Sequence, residues 1–347
     1  MNHSTWKGTH YESGLRYGAK LYERHINLME HLAVDQARLD YARAAIPAYR
    51  RHFPEILDEI RGIAEGQRTE PARMEGFLLS MYSFAVGNHC SCVAYSDEDT
   101  VLFGRNSDFL TAVEPFCDSP MYRLEGAYGF VGATTAWSEM EDGVNEHGLA
   151  AGLTFMYPTK IAPGFNAGML VRYVLERCRT VEEAIEAIRK LPVGSAQAIT
   201  LADRSGAAAV VECNCESLEV IRPGDGGAVF STNHFVSRAL TPYQTQMEDT
   251  VHSHERYETM ERAFAQRKTW TAGQIQSLLS GKMGFMCQYD RSLGMDTVWS
   301  SVYDLKNGLI LRAEGNPARC PFDPDGRLWS FRCWRKSLNR RCRNAIY

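Results

Sequence analysis

Residues 90–109 read CSCVAYSDEDTVLFGRNSDF, two runs of strand-forming residues separated by the short acidic break DEDT, which is the pattern of a β-hairpin. With the turn centred on Asp97 to Thr100, paired positions sum to 196 or 197, so Cys90 lies opposite Asn106 or Ser107 and Arg105 and Asp108 flank it. Opposed residues of an antiparallel pair lie about 4.5–5.5 Å apart, which brings a guanidinium and a carboxylate within reach of the cysteine. A nearby Arg favours thiolate, and a carboxylate can hold a protonated amine. The pattern C-x14-R-x-x-D across one hairpin therefore offers a nucleophile with two tuning groups. The competing reading is a surface Arg/Asp pair beside a buried cysteine.

N-terminal to this hairpin the chain reads as helical throughout. LAVDQARLDYARAAIPAYRRHF (32–53) has apolar residues at helical spacing, Pro54 opens PEILDEIRGIAEG, and EPARMEGFLLSMYSFA (70–85) follows. C-terminal to it, HGLAAGLTF (147–155), AQAITLADR (196–204), AAAVVEC (207–213), LEVIRP (218–223), GAVFST (227–232), DTVWSSVYDL (296–305) and GLILRAEG (308–315) read as strands. Helices return in two blocks, at 166–191, where Thr180 and Glu183 have capping-box spacing, and at 253–281. Hairpin-rich strands with helices segregated in blocks predict an α+β layered fold, not alternating βαβ units. With no internal repeat, Gly/Ser linker or low-complexity tract, the chain reads as one body. The exception is FRCWRKSLNRRCRNAIY (331–347), with six Lys/Arg and no acid, which reads as a solvated basic tail or surface helix.

The 347 residues are 44% hydrophobic and 23% charged, an ordinary globular composition that excludes disordered and fibrous classes. No window approaches the roughly 18–20 uninterrupted apolar residues of a membrane span, and MNHSTWKGTHYESG lacks the apolar core of a secretory signal, so a cytoplasmic location is expected. A formal charge of −4 argues against nucleic acid as a partner. The ten cysteines do not space as a disulfide framework. Cys90/Cys92 and Cys213/Cys215 would make a four-thiolate zinc site, but both pairs sit in strand-like runs with a spacing tighter than such sites use, so no metal or cofactor is expected.

Several stretches, in this order and spacing, resemble the N-terminal-nucleophile (Ntn) hydrolases. Within them the resemblance is to the peptidase C45 group related to acyl-coenzyme A:6-aminopenicillanic acid acyltransferase. They are EILDEIRGIAEG (55–66), Cys90-Ser91 at the start of a strand, GRNSDF (104–109), DGVNEHGLAAGLTF (142–155), AITLADRSGAAAVVE (198–212), STNHF (231–235) and TVWSSVYDL (297–305). GRNSDF and NEHGLAAGL also resemble the choloylglycine hydrolase and acid ceramidase branch; the long helical segment ahead of the cysteine favours the C45 side.

The resemblance implies a four-layered αββα sandwich made as an inactive precursor, a zymogen that cuts itself between His89 and Cys90. Residues 1–89 would form a helical α segment, a propeptide packed on the core, and residues 90–347 the β segment, whose basic C-terminal tail (318–347) matches nothing in the family. Cys90 would be the nucleophile and its freed α-amine the general base, since the reference values of about 7.7–8.0 for the amine and about 8.5 for the thiol lie close together. The resemblance also implies that Asp108 holds this amine, that Arg105 supports the thiolate and that Asn233 is the oxyanion-hole amide, with the backbone N–H of Thr154 as second donor. Relatives place the Arg about fifteen or sixteen residues after the nucleophile, a spacing that fits Cys90 and not Cys92. His147 and His234 lie in family-like motifs and read as hydrogen-bonded structural groups.

The function implied is a thiol amidohydrolase or acyltransferase that cleaves a linear, non-peptide C–N bond of a small N-acyl or acyl-thioester substrate through a thioester on Cys90, without cofactor. A homo-oligomer is compatible with this. Two other classes stand beside it: a noncatalytic, unprocessed binding relative, and a metal or redox module built on the Cys-x-Cys pairs.

Overall fold

The computed structural model describes residues 1–26, 34–84, 89–224, 226–245 and 249–329; the basic stretch 331–347 lies outside them. Two sheets stack face to face. The first has eight strands: β1 (Thr5–Gly8), β4 (Met121–Leu124), β5 (Phe130–Ala133), β6 (Asp142–Asn145), β7 (Leu149–Phe155), β8 (Gln197–Asp203), β9 (Ala208–Cys213) and β10 (Leu218–Ile221), in that spatial order. The second has six, ordered β11 (Ala228–Ser231), β2 (His89–Ser96), β3 (Val101–Leu110), β12 (Met295–Asp304), β13 (Leu309–Ala313) and β14 (Asp323–Pro324). Every pairing between these strands is antiparallel except β1 with β4.

Strand alternation builds the layers. On β2 and β3, Cys92, Ala94, Val101 and Phe103 face the first sheet and pack with Ala150, Ala198, Ala202 and Val210. Val93, Tyr95 and Leu102 point the other way, onto helices α7 (Ser253–Ala265) and α8 (Ala272–Leu279), where they meet Met260, Phe264, Ile275 and Leu279. The outer face of the first sheet, with Leu153, Ile199 and Val211, is covered by α5 (Ala167–Arg177), α6 (Val181–Lys190) and the N-terminal helices. The result is the expected α+β order of layers, αββα.

The N-terminal segment is not helical throughout. Its first element, β1 (TWKG), is a strand, and it lines up beside β4 with Trp6 opposite Tyr122. Helices α1 (His10–Glu23), α2 (Gln36–His52), α3 (Pro54–Gly66) and α4 (Pro71–Ser80) follow. Thr9 caps α1 in a capping box, and Pro54 and Pro71 open α3 and α4 where a missing N–H costs nothing. Helices α1 and α3 cross backbone to backbone: a Cβ on Gly14 would lie 2.1 Å from Glu59 O, and one on Gly62 would lie 2.3 Å from Tyr11 O. At the other end, Asp325 N donates to Ile310 O at 2.9 Å and Leu328 is buried, so the chain up to residue 329 packs on the second sheet. Among the described residues, no helix is long and apolar enough to cross a membrane.

A buried ionic cluster ties the N-terminal helices to the first sheet. Arg172 of α5 bonds Glu59 of α3 (Nη2 to Oε2, 2.7 Å) and Glu176 (Nε to Oε1, 2.5 Å), while His10 of α1 pairs with Glu176 at 2.9 Å. The guanidinium lies over Tyr122 of β4, 4.0 Å from the ring centre. Removing one partner of such a group leaves a charge uncompensated in the interior, at about 3–5 kcal/mol. Glu59→Ala is therefore expected to lower the thermal unfolding midpoint by several degrees, and an unchanged midpoint would show that Glu176 alone balances Arg172.

Candidate active site

The β2–β3 hairpin forms because Asp97 closes its turn: Asp97 N donates to Thr100 O at 3.0 Å, and its Oδ1 accepts from Asp99 N and Thr100 N. That turn sets the register, which pairs His89 with Asp108, Cys90 with Ser107 and Cys92 with Arg105. Of the two registers the turn allowed, the one summing to 197 is observed.

Arg105 runs between the sheets and ends under the cysteine. Its Nη2 donates to Cys90 Sγ at 2.7 Å and to Glu141 Oε2 at 3.2 Å, its Nη1 to Asp142 Oδ2 at 3.3 Å, and its Nε to Leu153 O at 3.0 Å. Arg105, Glu141 and Asp142 are buried. Asp142 also accepts from Trp299 Nε1 at 2.8 Å and from the Tyr303 hydroxyl, and Ser107 Oγ donates to Glu141 Oε2 at 2.9 Å. Room for the arginine comes from Gly152 of β7, where a Cβ would stand 2.7 Å from Phe103 Cζ and 3.1 Å from Arg105 Cδ.

A second arginine closes the other side. Arg256 of α7 donates through Nη1 to Cys90 O (2.5 Å) and Ser91 Oγ (2.8 Å) and through Nη2 to Asn233 Oδ1 (2.7 Å). That same Asn233 oxygen accepts from Cys90 N at 3.0 Å, and Asn233 Nδ2 donates to Phe155 O at 2.8 Å. Asp108 Oδ2 lies 3.8 Å from Arg256 Nη1 and accepts from the Tyr289 hydroxyl at 3.1 Å; its Oδ1 accepts from Thr297 Oγ1 at 2.6 Å. An aromatic run, Tyr82 to Phe155 to Tyr157 to the imidazole of His89, lies alongside.

Burial and charge oppose each other here. Burial pushes the Cys90 thiol well above its ordinary value, and Arg105 pulls it back down only in part. Burial raises Asp108, against the pull of Arg256 and the hydroxyls of Thr297 and Tyr289. His89 is pushed down to about 3 by burial and then by Arg256, so its imidazole is neutral. The Cys92 thiol is raised to about 12 by burial and keeps its proton at neutral pH.

Sequence reasoning named Cys90, Arg105 and Asn233, and these three meet. Asp108 sits one register step away, opposite His89, and the Cys90 nitrogen goes to Asn233 and not to this carboxylate. Thr154 is opposite Ala198 of β8. The carbonyls of Leu153 and Phe155 are taken by Arg105 and Asn233, so strand alternation turns the Thr154 amide toward β8, and the β7 backbone facing Cys90 is that of its two neighbours. His147 packs its ring on Tyr128, 4.4 Å between centres, in the β6–β7 turn. Among the described residues, no group of three or more His, Cys, Asp or Glu could hold a metal ion.

Arg256, Glu141, Asp142, Tyr289 and Thr297 were not foreseen. Arg256 did leave a trace: with Ser253, Met260 and Ala263 it falls on the stripe that α7 buries, where an arginine needs a partner. Glu141 left no comparable trace, and Asp142 opened the motif DGVNEHGLAAGLTF with nothing in the pattern to tie it to Arg105.

A sequence model of the family described as acyl-coenzyme A:6-aminopenicillanic acid acyl-transferase matches residues 95–319, beginning shortly beyond Cys90 and including Arg105, Asp108, Asn233 and Arg256. No curated protein matches. Among solved structures, the chain resembles penicillin V acylase from Agrobacterium tumefaciens (20% identity, 65% of this chain and 82% of that one, TM-score 0.45). It also resembles an N-acylethanolamine-hydrolyzing acid amidase ortholog from Caenorhabditis elegans (16%, 62% and 93%, 0.47) and a mutant of conjugated bile acid hydrolase from Clostridium perfringens (14%, 67% and 96%, 0.44). With well over half of its length matched, this chain belongs to the acyl-coenzyme A:6-aminopenicillanic acid acyl-transferase family.

Proposed function

We propose that the protein is a cysteine-nucleophile amidohydrolase or acyltransferase that activates itself by cutting the His89–Cys90 bond. It then acts on a small N-acyl amide through a thioester on Cys90. The observation that carries this reading is the separate capture of the two atoms the chemistry needs. Cys90 Sγ lies 2.7 Å from Arg105 Nη2, and the Cys90 nitrogen bonds Asn233 Oδ1 at 3.0 Å.

In the cut, Sγ attacks the His89 carbonyl carbon, the thiol proton passes to the Cys90 nitrogen, and the C–N bond breaks to leave a thioester. Water then releases His89 as a carboxylate and Cys90 as a thiol with a free α-amine. That amine supplies what the uncut site lacks, a base near neutrality beside a thiol that burial keeps protonated. In turnover the amine takes the thiol proton, Sγ bonds the substrate carbonyl carbon, and the leaving amine departs with that proton; water or an acceptor amine resolves the thioester.

Arg105 supports the sulfur as it becomes anionic. Asn233 holds the nitrogen through Oδ1; its Nδ2, on Phe155 O before the cut, is the donor we assign to the oxyanion. Arg256 fixes the backbone between them and neutralises Asp108, which stands ready for the ammonium form of the amine.

Purified protein should run under denaturing conditions as pieces of 89 and 258 residues, together the 347 of the chain, the larger beginning Cys-Ser-Cys-Val. Cys90→Ala should stay in one piece and be inactive on a panel of N-acylated amines, while Cys92→Ser should cut and keep its activity. Asn233→Ala should lower turnover by about a hundredfold to a thousandfold, the usual worth of one preorganised donor. An uncut wild-type chain that turned over an amide at full rate would refute the mechanism, because its base would still be a peptide nitrogen.

A further inference from the structure

The two arginines and Asn233 leave a polar knot beside them that the chemistry above does not use. Three consecutive residues converge on one hydroxyl, that of Ser253 in the first turn of α7. Asn233 N donates to Ser253 Oγ at 2.8 Å, His234 Nδ1 lies 2.8 Å from it, and Thr232 Oγ1 lies 3.1 Å from it. Thr232 Oγ1 and His234 Nδ1 are themselves 3.1 Å apart, which closes a triangle. All four residues are buried. We propose that Ser253, locked by Thr232 and His234, is the positioning residue for Asn233: it sets where the Asn233 amide meets the Cys90 nitrogen. This rests on the reading of Asn233 as a site residue.

The geometry gives the hydroxyl a single place to stand. Ser253 is fixed from its own backbone, since Asp249 Oδ1 accepts its N–H at 2.8 Å and Asp249 Oδ2 accepts from His254 N at 2.9 Å. The His234 ring is held by stacking on His254, 3.9 Å between centres at 28°, and by an edge contact with Tyr257. Whichever tautomer His234 adopts, the hydroxyl keeps a lone pair for Asn233 N–H: it donates to an unprotonated Nδ1, or accepts from a protonated one and donates to Thr232. Burial, with the neighbouring His254, pushes His234 down to about 4, so at neutral pH the ring brings no charge into the knot.

One turn along the same helix, Arg256 reaches the Asn233 side chain at 2.7 Å. Helix α7 thus grips Asn233 at both ends, Ser253 at the main-chain nitrogen and Arg256 at the amide oxygen. A backbone held only by the flanking loop would let the amide swing; two anchors on a rigid element suppress that freedom.

The test uses self-cleavage, which needs no knowledge of the substrate. The full chain is synthesised in a cell-free system, and the 258-residue piece is followed on denaturing gels for the wild type, Ser253→Ala, Asn233→Ala and the double variant. Ser253→Ala is expected to slow the cut about three- to tenfold, the scale of one ordinary hydrogen bond. In the Asn233→Ala background the same change should alter the rate by less than twofold, because nothing is left to position. A Ser253→Ala rate equal to wild type, or an equal factor in both backgrounds, would overturn the proposal and leave Ser253 a packing residue. A wild type that does not cut, or an Asn233→Ala chain that cuts at the wild-type rate, would instead overturn the assignment of Asn233 on which it rests. Should Ser253→Ala not fold, Ser253→Cys decides: it is nearly isosteric and a weaker acceptor, and a wild-type rate in it counts against the proposal.

Discussion

A guanidinium with no access to water sits at the seam of two sheets, and the arrangement around it follows from keeping that charge there. Arg105 is fully buried, a state a protein tolerates only when the cation is paired and hydrogen-bonded throughout. The second sheet supplies the arginine from β3. The first supplies Glu141 and Asp142 at the start of β6 and the Leu153 carbonyl from β7, so the charge is satisfied only when the sheets dock in one register. The inner layer of alanines, with Gly152 beneath Phe103 and Arg105, lets the sheets come close enough. Specificity of docking and electrostatic support of Cys90 are one feature.

Cys90 meets a second constraint on its backbone. The sulfur is addressed from the first sheet's side by Arg105, whereas the nitrogen and carbonyl are addressed by Asn233 and Arg256 from the loop after β11 and from α7. In the proposed mechanism this separation lets a proton pass between sulfur and nitrogen while each keeps its own partner. Asp108, raised by burial and faced by Arg256, Thr297 and Tyr289, is the carboxylate of the nitrogen side. Glu141 and Asp142 belong to the sulfur side, where they balance Arg105.

How much of this could be read from the sequence depends on how local each contact is. The hairpin register was legible to within one residue because a period of two and one acidic turn limit it, and with it came Arg105 and Asp108. The strands β4 and β5 are four residues long and lack a clear alternation, so they left no signal. β1 was missed for a different reason: TWKG becomes a strand only because β4, more than a hundred residues later, offers it an edge. Arg256 stands 166 residues from the carbonyl it binds, a closure that no local pattern encodes. Motif resemblance pointed to Asn233, which the structure places on the Cys90 nitrogen. The Thr154 amide faces β8 through strand alternation, a direction that the motif by itself does not carry.

A cut ahead of Cys90 would leave most of the N-terminal packing untouched. The N-terminal segment contributes β1 to the edge of the first sheet, Glu59 and His10 to the cluster on Arg172, and two helices crossing so closely that Gly14 and Gly62 admit no side chain. Separating it would expose the apolar face of α5 and leave Arg172 without one of its carboxylates, and both losses oppose its release. Breaking one peptide bond changes none of these contacts. What it would change is local: the amide nitrogen held by Asn233 would become an α-amine, beside a thiol already touching an arginine. After the proposed cut the N-terminal segment would remain a wall of the fold, and its new end would be His89, which pairs with Asp108 beside Cys90.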